Sequence, residues 1–344
     1  MQAARLTAIR KLELIDIPVP KPDDGEVLVA VKSTGICASD VHYYAHGGIA
    51  DQRCVYPHSL GHECSGEVVQ TTNGSSFTKG DRVAVEPGRY CLKCEHCSEG
   101  RYNRCPEVQF LGGPNQSGAF QEYLVLHESQ LVKIPDGMSF DEAALLEPMG
   151  VAYHAVMLSA LKPGNSIAIF GAGAIGLCTL ALVKACGAGE TYLFDRVQHR
   201  LDFARQHYTP DHCINVSSVD PLACLKEFTG GRMADIVYEA AGSLQTFGWT
   251  FEASRIGGKV ILIGIPQEDF VEFNPHTLRR REILVQNVRR SNRALHPCIN
   301  LVERKTVTIA PLATHHFPLS QIAEAMRVAE TYEDGAVRVM VNST

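Results

Sequence analysis

Between Lys162 and Arg196 the chain reads KPGNSIAIF, GAGAIG, LCTLALVKACGAG and ETYLFDR, and no other stretch restricts the fold as tightly. Ser166–Phe170 is a short apolar run with two isoleucines, the pattern of a strand buried on both faces. Gly171, Gly173 and Gly176 follow in G-x-G-x-x-G spacing, and Leu177–Ala185 carries helix-forming residues up to Gly187. Thr191–Phe194 is a second strand, closed by Asp195. Glycine is common, so the spacing alone says little. Here a strand precedes it, a helix follows it, and an acidic residue ends the next strand about 20 residues on, which is the context a dinucleotide loop requires.

Each position has a physical reason. Gly171 permits the tight turn, Gly173 lets a pyrophosphate approach the backbone, and Gly176 lets the helix pack on the strand. The N–H groups at the helix start, at Ala174 and Ile175, point at the diphosphate and the macrodipole assists them. Asp195 accepts hydrogen bonds from ribose hydroxyls and repels a 2′-phosphate, which favours NAD over NADP. Arg196 beside it is a basic group able to hold such a phosphate.

The 344 residues are enough for two domains with a large core. A net charge of −6, a pI near 6.2 and no long basic run argue against a nucleic-acid partner. The N-terminal MQAARLTAIRK lacks the apolar core of a secretory signal, and no apolar stretch is long enough to span a bilayer. The expected location is therefore the cytoplasm, with no membrane partner. In that setting twelve cysteines favour metal binding or free thiols over disulfides.

Residues 1–149 read as β-rich, with candidate strands at Leu12–Val19, Glu26–Lys32, Glu67–Val69 and Arg82–Val85 punctuated by Gly and Pro. Phe140–Met149 begins a helical pattern. Residues 150–284 alternate strand and helix, with strands expected at Ser166–Phe170, Thr191–Phe194, Cys213–Val216, Asp235–Glu239, Lys259–Gly264 and Ile283–Gln286. Six such strands complete a doubly wound dinucleotide fold. Residues 285–344 add an amphipathic helix at Leu319–Ala329 and a strand at Ala336–Val341, and strand counting returns this tail to the first domain.

Cys91, Cys94, Cys97 and Cys105 form C-x2-C-x2-C-x7-C in a loop rich in Gly and charge. Four thiolates so close suit a tetrahedral zinc with no open position, hence a structural site. Iron–sulfur spacings differ from this one. The other polar candidates are scattered: Cys37 after a strand, His62-Glu63 after Gly61, and Glu147 near the second domain. Thiolate, imidazole and carboxylate together suit a catalytic zinc that keeps one position open. Spacing alone does not bring them together.

GICASDVHYY, LGHECSGEV, the four-cysteine loop, LLEPMGVAYHA and GAGAIG occur in the order found in the zinc-dependent medium-chain alcohol dehydrogenases. The chain resembles that family along nearly its whole length, and its polyol branch (sorbitol, xylitol and arabinitol dehydrogenases) most. The resemblance implies a GroES-like catalytic domain, residues 1–149 and 285–344, around a Rossmann domain, residues 150–284, with the active site in the cleft. It implies one catalytic and one structural zinc and NAD as cofactor. It makes Cys37, His62 and Glu63 zinc ligands, with Glu147 a further ligand or the holder of the zinc-bound water, and the two glutamates can exchange these roles. Ser39 and His42 match positions that carry the alcohol proton toward solvent, Tyr43 a substrate-contacting tyrosine, and Arg200 a basic residue near the adenosine end of the cofactor.

Polyol enzymes often carry an Arg-Tyr pair late in the chain. Here the segment reads NVRRSN, so Arg290 keeps the arginine role with Ser291 in place of the aromatic, or Arg289 does if the count slips by one. The four-cysteine site is kept, whereas some animal sorbitol dehydrogenases have lost it. The expected reaction is hydride transfer from a secondary hydroxyl of a small-molecule polyol to NAD, giving a ketose and NADH. The alternative is another secondary alcohol of the same family: 2,3-butanediol, L-threonine or a polyol phosphate. The branch also implies a homo-oligomer, a tetramer ahead of a dimer.

Overall fold

The structure, a computed structural model, describes residues 1–113 and 116–343. The chain forms two compact units, one of Met1–Glu147, Leu295–Lys305 and Ile309–Thr344, the other of Pro148–Ala294 with Thr306–Thr308.

In the second unit six strands form an all-parallel sheet. From edge to edge they are His212–Asn215, Thr191–Asp195, Ile167–Phe170, Ala234–Glu239, Ser254–Leu262 and Leu284–Asn287. Counted along the chain this is the order 3-2-1-4-5-6. It reverses between Ile167–Phe170 and Ala234–Glu239, the topological switch where such sheets open a ligand crevice. Every residue of the three central strands is buried, which is why they read as unbroken apolar runs. The rings of Phe170 and Phe194 stack there at 4.6 Å. The helix after the glycine loop is Ala174–Ala185, three residues longer at its start than the sequence pattern marks. The expected domain boundary at 285 falls inside the sixth strand, which pairs with Ser254–Leu262, so residues 285–294 stay with this unit.

The first unit is built on a seven-stranded sheet around the ten-residue strand Glu26–Gly35. That strand pairs with Glu63–Thr71 on one edge, and with Tyr123–His127 and Arg338–Asn342 on the other. Val27, Val29 and Val31 alternate onto one core with Val68, Val83, Val85, Leu124 and Leu126. Each such side chain contributes about 1.5–3 kcal/mol relative to exposure. The tail joins this sheet through Met340 opposite Gly35. Helix Ile322–Thr331 buries Ile322, Ala325, Met326 and Val328 in a second core shared with Leu6, Tyr43 and Tyr44. Among the described residues no helix is long and apolar enough to cross a membrane.

Candidate active site

Cys37 lies two residues past the strand Glu26–Gly35 and immediately before helix Ala38–His46. Its N–H donates to Asp40 Oδ2 at 2.9 Å, while Asp40 Oδ1 accepts the Gly61 N–H at 2.9 Å. Oδ1 also stands 3.6 Å from His62 Nδ1, which turns the ring so that Nε2 is available to a metal. One buried carboxylate therefore positions two ligands. Sheet register brings in the third: Gly35 pairs with Glu63, so Cys37 and His62-Glu63 emerge at the same end of adjacent strands. A Cβ at Gly35 would collide with Glu63 Oε2, so only glycine lets that carboxylate lie against the backbone. The ligand atoms of Cys37, His62 and Glu63 all fall within 4.8 Å of one another.

The electrostatics call for a cation. Glu63 is fully buried, and neither of its carboxylate oxygens accepts a hydrogen bond among the described residues. Arg338 Nη2 is 3.3 Å from Oε1 without hydrogen-bond alignment, while its Nη1 donates to the Ile36 carbonyl at 2.6 Å. Glu147, in helix Phe140–Ser159, has a pKa pushed up to about 8. Burial is the main cause, Glu63 and Glu86 add to it, and His62 and Arg338 oppose it. Burial also opposes a charge on His62, but Asp40 and Cys37 outweigh it and raise that pKa. Uncompensated buried charge costs several kcal/mol per ion, and a metal removes that cost. One thiolate, one imidazole and one carboxylate fit a zinc with an open fourth position. Glu147 stands outside this three-residue group.

Ser39 and His42 lie half-buried one helical turn apart on Ala38–His46, and the His42 ring is 6.0 Å from that of the exposed His46. Tyr43 is packed into the core, and its hydroxyl donates to Gln52 at 3.2 Å. Arg289 and Arg290 belong to the other unit, just past its sixth strand, Arg289 exposed and Arg290 half-buried. Three residues of the site escaped the sequence reading: Asp40, Arg338, and Phe110, whose ring lies 5.4 Å from that of His62. Asp40 alone left a trace, an acidic residue three positions after Cys37. Asp40→Asn keeps only one of the two oxygens that accept from Cys37 and Gly61 and removes the charge beside His62. It is expected to weaken catalytic-zinc affinity and alcohol turnover by about 10–100-fold, read by zinc titration and kcat/KM.

Cys91, Cys94, Cys97 and Cys105 also bring their sulfurs within 4.8 Å of one another. Cys91 and Cys97 are 4.0 Å apart, far beyond a disulfide bond of about 2.05 Å. That spacing is close to the roughly 3.8 Å edge of a tetrahedron with Zn–S bonds of about 2.3 Å. Backbone N–H groups, that of Lys93 first, lower the Cys91 thiol to about 7, whereas burial pushes Cys97 up to about 12. The donor set fits a closed tetrathiolate zinc.

In the second unit Gly171 turns with φ +109°, and a Cβ at Gly176 would collide with the Gly171 carbonyl oxygen. A Cβ at Gly173 would meet nothing nearer than Arg200 Nη1 at 3.9 Å, and no side chain caps helix Ala174–Ala185. The first-turn N–H groups of Ala174 and Ile175 thus face an open cradle suited to a diphosphate. Asp195 Oδ2 accepts the Ala172 N–H at 2.7 Å and Oδ1 the Val197 N–H at 2.8 Å, which ties the glycine loop to the second strand. Each oxygen keeps a lone pair for a ribose hydroxyl. Arg200 stands 4.0 Å from Asp195, and Arg196 is exposed.

Residues 23–136 match the alcohol dehydrogenase GroES-like domain family, and residues 174–304 the zinc-binding dehydrogenase family. The chain is 38% identical to a sorbitol dehydrogenase of Bacillus subtilis, covering 99% of this chain and 97% of that one. It is 38% identical to a probable D-xylulose reductase A of Neosartorya fischeri over 77% of this chain and 76% of the relative. A crystal structure of an Escherichia coli oxidoreductase/dehydrogenase of unknown specificity superposes with a TM-score of 0.94 at 34% identity, covering 100% and 99% of the two chains.

Proposed function

We propose, from the premise that the chain belongs to the zinc-binding, GroES-like alcohol dehydrogenase family, that it oxidises a secondary hydroxyl of a sugar alcohol with NAD, yielding a ketose and NADH. The observation that carries this reading is the convergence of Cys37, His62 and Glu63 in a chain that also holds a complete dinucleotide loop. Zinc bound by those three residues supplies a Lewis acid toward the alcohol oxygen. NAD supplies the hydride acceptor.

The chain's own residues do the rest. Ser39 Oγ takes the alcohol proton and hands it to the His42 imidazole one turn on, with exposed His46 at the outer end. Glu147, buried and within electrostatic reach of His62 and Glu63, serves a neighbouring hydroxyl or water, which favours a polyol over a simple alcohol. Arg338, with Nη2 3.3 Å from Glu63 Oε1, offsets part of that carboxylate's charge. Asp195 selects the unphosphorylated ribose, and Arg200 lies beside it. Arg289 or Arg290 engages further substrate hydroxyls. The Tyr43 ring is assigned to the wall of the substrate pocket.

A homo-oligomer, a tetramer ahead of a dimer, belongs to the same reading. Among the described residues the sixth strand ends the parallel sheet with an unpaired edge; Leu284 on it is 53% exposed, and Phe270 and Phe273 earlier in the same unit are exposed too. A cytoplasmic location is supported by the cluster of four thiols at Cys91, Cys94, Cys97 and Cys105, which oxidation would destroy.

The test is the initial rate of NADH formation across sorbitol, xylitol, arabinitol, galactitol, ribitol, 2,3-butanediol, L-threonine and 2-propanol, repeated with NADP. One polyol group should exceed 2-propanol by about tenfold or more in kcat/KM, because a site built to bond a second hydroxyl rejects substrates lacking it. Turnover of butanediol or threonine alone would retain the chemistry and refute the polyol assignment.

A further inference from the structure

Glu239 ends the strand Ala234–Glu239 and pairs in register with Phe170 on one side and Leu262 on the other. It therefore stands beside the point where the strand order reverses, at the floor of the dinucleotide crevice. It is fully buried, and no cation pairs with it among the described ion pairs. Its Oε1 accepts three hydrogen bonds: from the Ala241 N–H at 3.0 Å, the Gly242 N–H at 2.8 Å and Thr246 Oγ1 at 2.7 Å. Among the described residues its Oε2 accepts none, and it lies so close to Gly264 that a Cβ there would collide with it.

The turn that Oε1 holds is the one against which the cofactor loop rests. A Cβ at Gly171 would come within 2.9 Å of the Ala240 carbonyl and the Ala241 nitrogen. On its other side the turn abuts the end of the fifth strand, where a Cβ at Gly242 would reach 2.6 Å from the Ile265 oxygen. Three strand ends thus meet through one carboxylate. Burying that carboxylate is costly, and a neutral amide oxygen would serve three donors less well than an anionic one.

We propose that Glu239 is the positioning residue of the dinucleotide crevice: by bonding Ala241, Gly242 and Thr246 it holds the turn that fixes Gly171, and so sets cofactor affinity without touching the cofactor. This deepens the NAD-binding part of the proposed function and rests on it.

The test is equilibrium NADH binding, followed by nicotinamide fluorescence on the zinc-loaded full chain without substrate. Glu239→Ala should weaken NADH by about tenfold or more, since small displacements of a positioning element carry penalties of that size. Zinc content should not change, and the alcohol KM at saturating NAD should stay within about twofold. Glu239→Gln keeps an acceptor oxygen at the turn and should recover binding to within about threefold of wild type. Tyr238→Phe, which removes a buried bond to Ser159 from the same strand, should lower the thermal midpoint and leave NADH affinity alone. If Glu239→Ala does not fold, Thr246→Val removes one of the three donors and should weaken NADH by about threefold. NADH binding unchanged in Glu239→Ala or Thr246→Val, or a Gln variant as weak as the Ala variant, overturns the proposal. Wild-type protein that binds no NADH would overturn the cofactor reading itself, and this role with it.

Discussion

His62→Ala will leave one zinc per chain where wild type holds two, because two separate ligand clusters exist and only one loses a member. The kcat/KM for the best polyol will fall by about 10³-fold or more, since losses outside the ligand set alone cost about 10–100-fold. The physical reason lies in a buried carboxylate. Cys37 and Glu63 lie within 4.8 Å of His62, neither Glu63 oxygen accepts a hydrogen bond among the described residues, and His62, whose pKa is raised, carries the charge that offsets Glu63 when no metal is bound. Without the imidazole the site loses both a ligand and that compensation, so the zinc left on Cys37 and Glu63 dissociates readily. NADH affinity will stay within about twofold, because the glycine loop and Asp195 belong to the other unit. Zinc analysis, turnover and NADH titration on the same preparation check this. Two zincs retained with near-normal turnover would remove Cys37, His62 and Glu63 from the active site.

Cys105→Ser acts on the other cluster and its effect is on stability. Cys105 is fully buried, yet the loop between Cys91 and Cys105 has little apolar anchoring, and its Leu92 is 62% exposed. Only a four-residue helix and a single 3-10 turn occur within it. Such a loop is held by its metal, and binding a structural zinc is itself folding free energy. Loss of the ion should lower the thermal midpoint by about 3–7 °C, about 2–5 kcal/mol in a chain of this size. It should also open the segment 91–105 to limited proteolysis. The catalytic zinc will remain, giving one zinc per chain as in the His62 variant but with the opposite pattern of losses. A Cys105→Ser protein with two zincs and an unchanged midpoint would show that Cys105 is not needed to hold the structural metal.

The two variants also mark where sequence reading works. The dinucleotide loop was legible because its requirements are local: Gly171 and Gly176 sit in a strand–turn–helix unit whose sterics depend on a few neighbours. The same holds for the four cysteines, confined to one loop. Strand alternation placed most of the strands it marked to within a few residues, and left Gln2–Ala8, Tyr123–His127 and Leu131–Lys133 unmarked. It failed at the fifth strand, which begins at Ser254 rather than Lys259, because exposed Ile256 and the two glycines after it carry no alternating pattern. The boundary at 285 cuts through the sixth strand that the pattern itself marks at Ile283–Gln286, because the residues that follow it, 288–294, carry no pattern that assigns them to either unit.

The catalytic cluster is a different case. Its residues were picked out through family resemblance, and no spacing rule joins Cys37 to His62 and Glu63. Their meeting depends on Gly35 standing opposite Glu63 in the sheet, and a one-residue slip would turn every side chain to the other face. Asp40, Arg338 and Phe110 reach the site from a helix turn, the last strand and a distant loop, and they look unremarkable in sequence. Tyr43 likewise owes its assignment to its motif, and its packing against a core and the bond from its hydroxyl to Gln52 follow from contacts that no spacing rule marks. By itself, then, the sequence determined the parallel nucleotide-binding half, the thiolate loop and the chemical types available for a second metal, because short-range sterics and ligand chemistry decide those. The tertiary structure alone decided which carboxylates share a volume, which oxygens are left unsatisfied and which arginine answers them, because long-range register and burial set electrostatics that no local pattern carries.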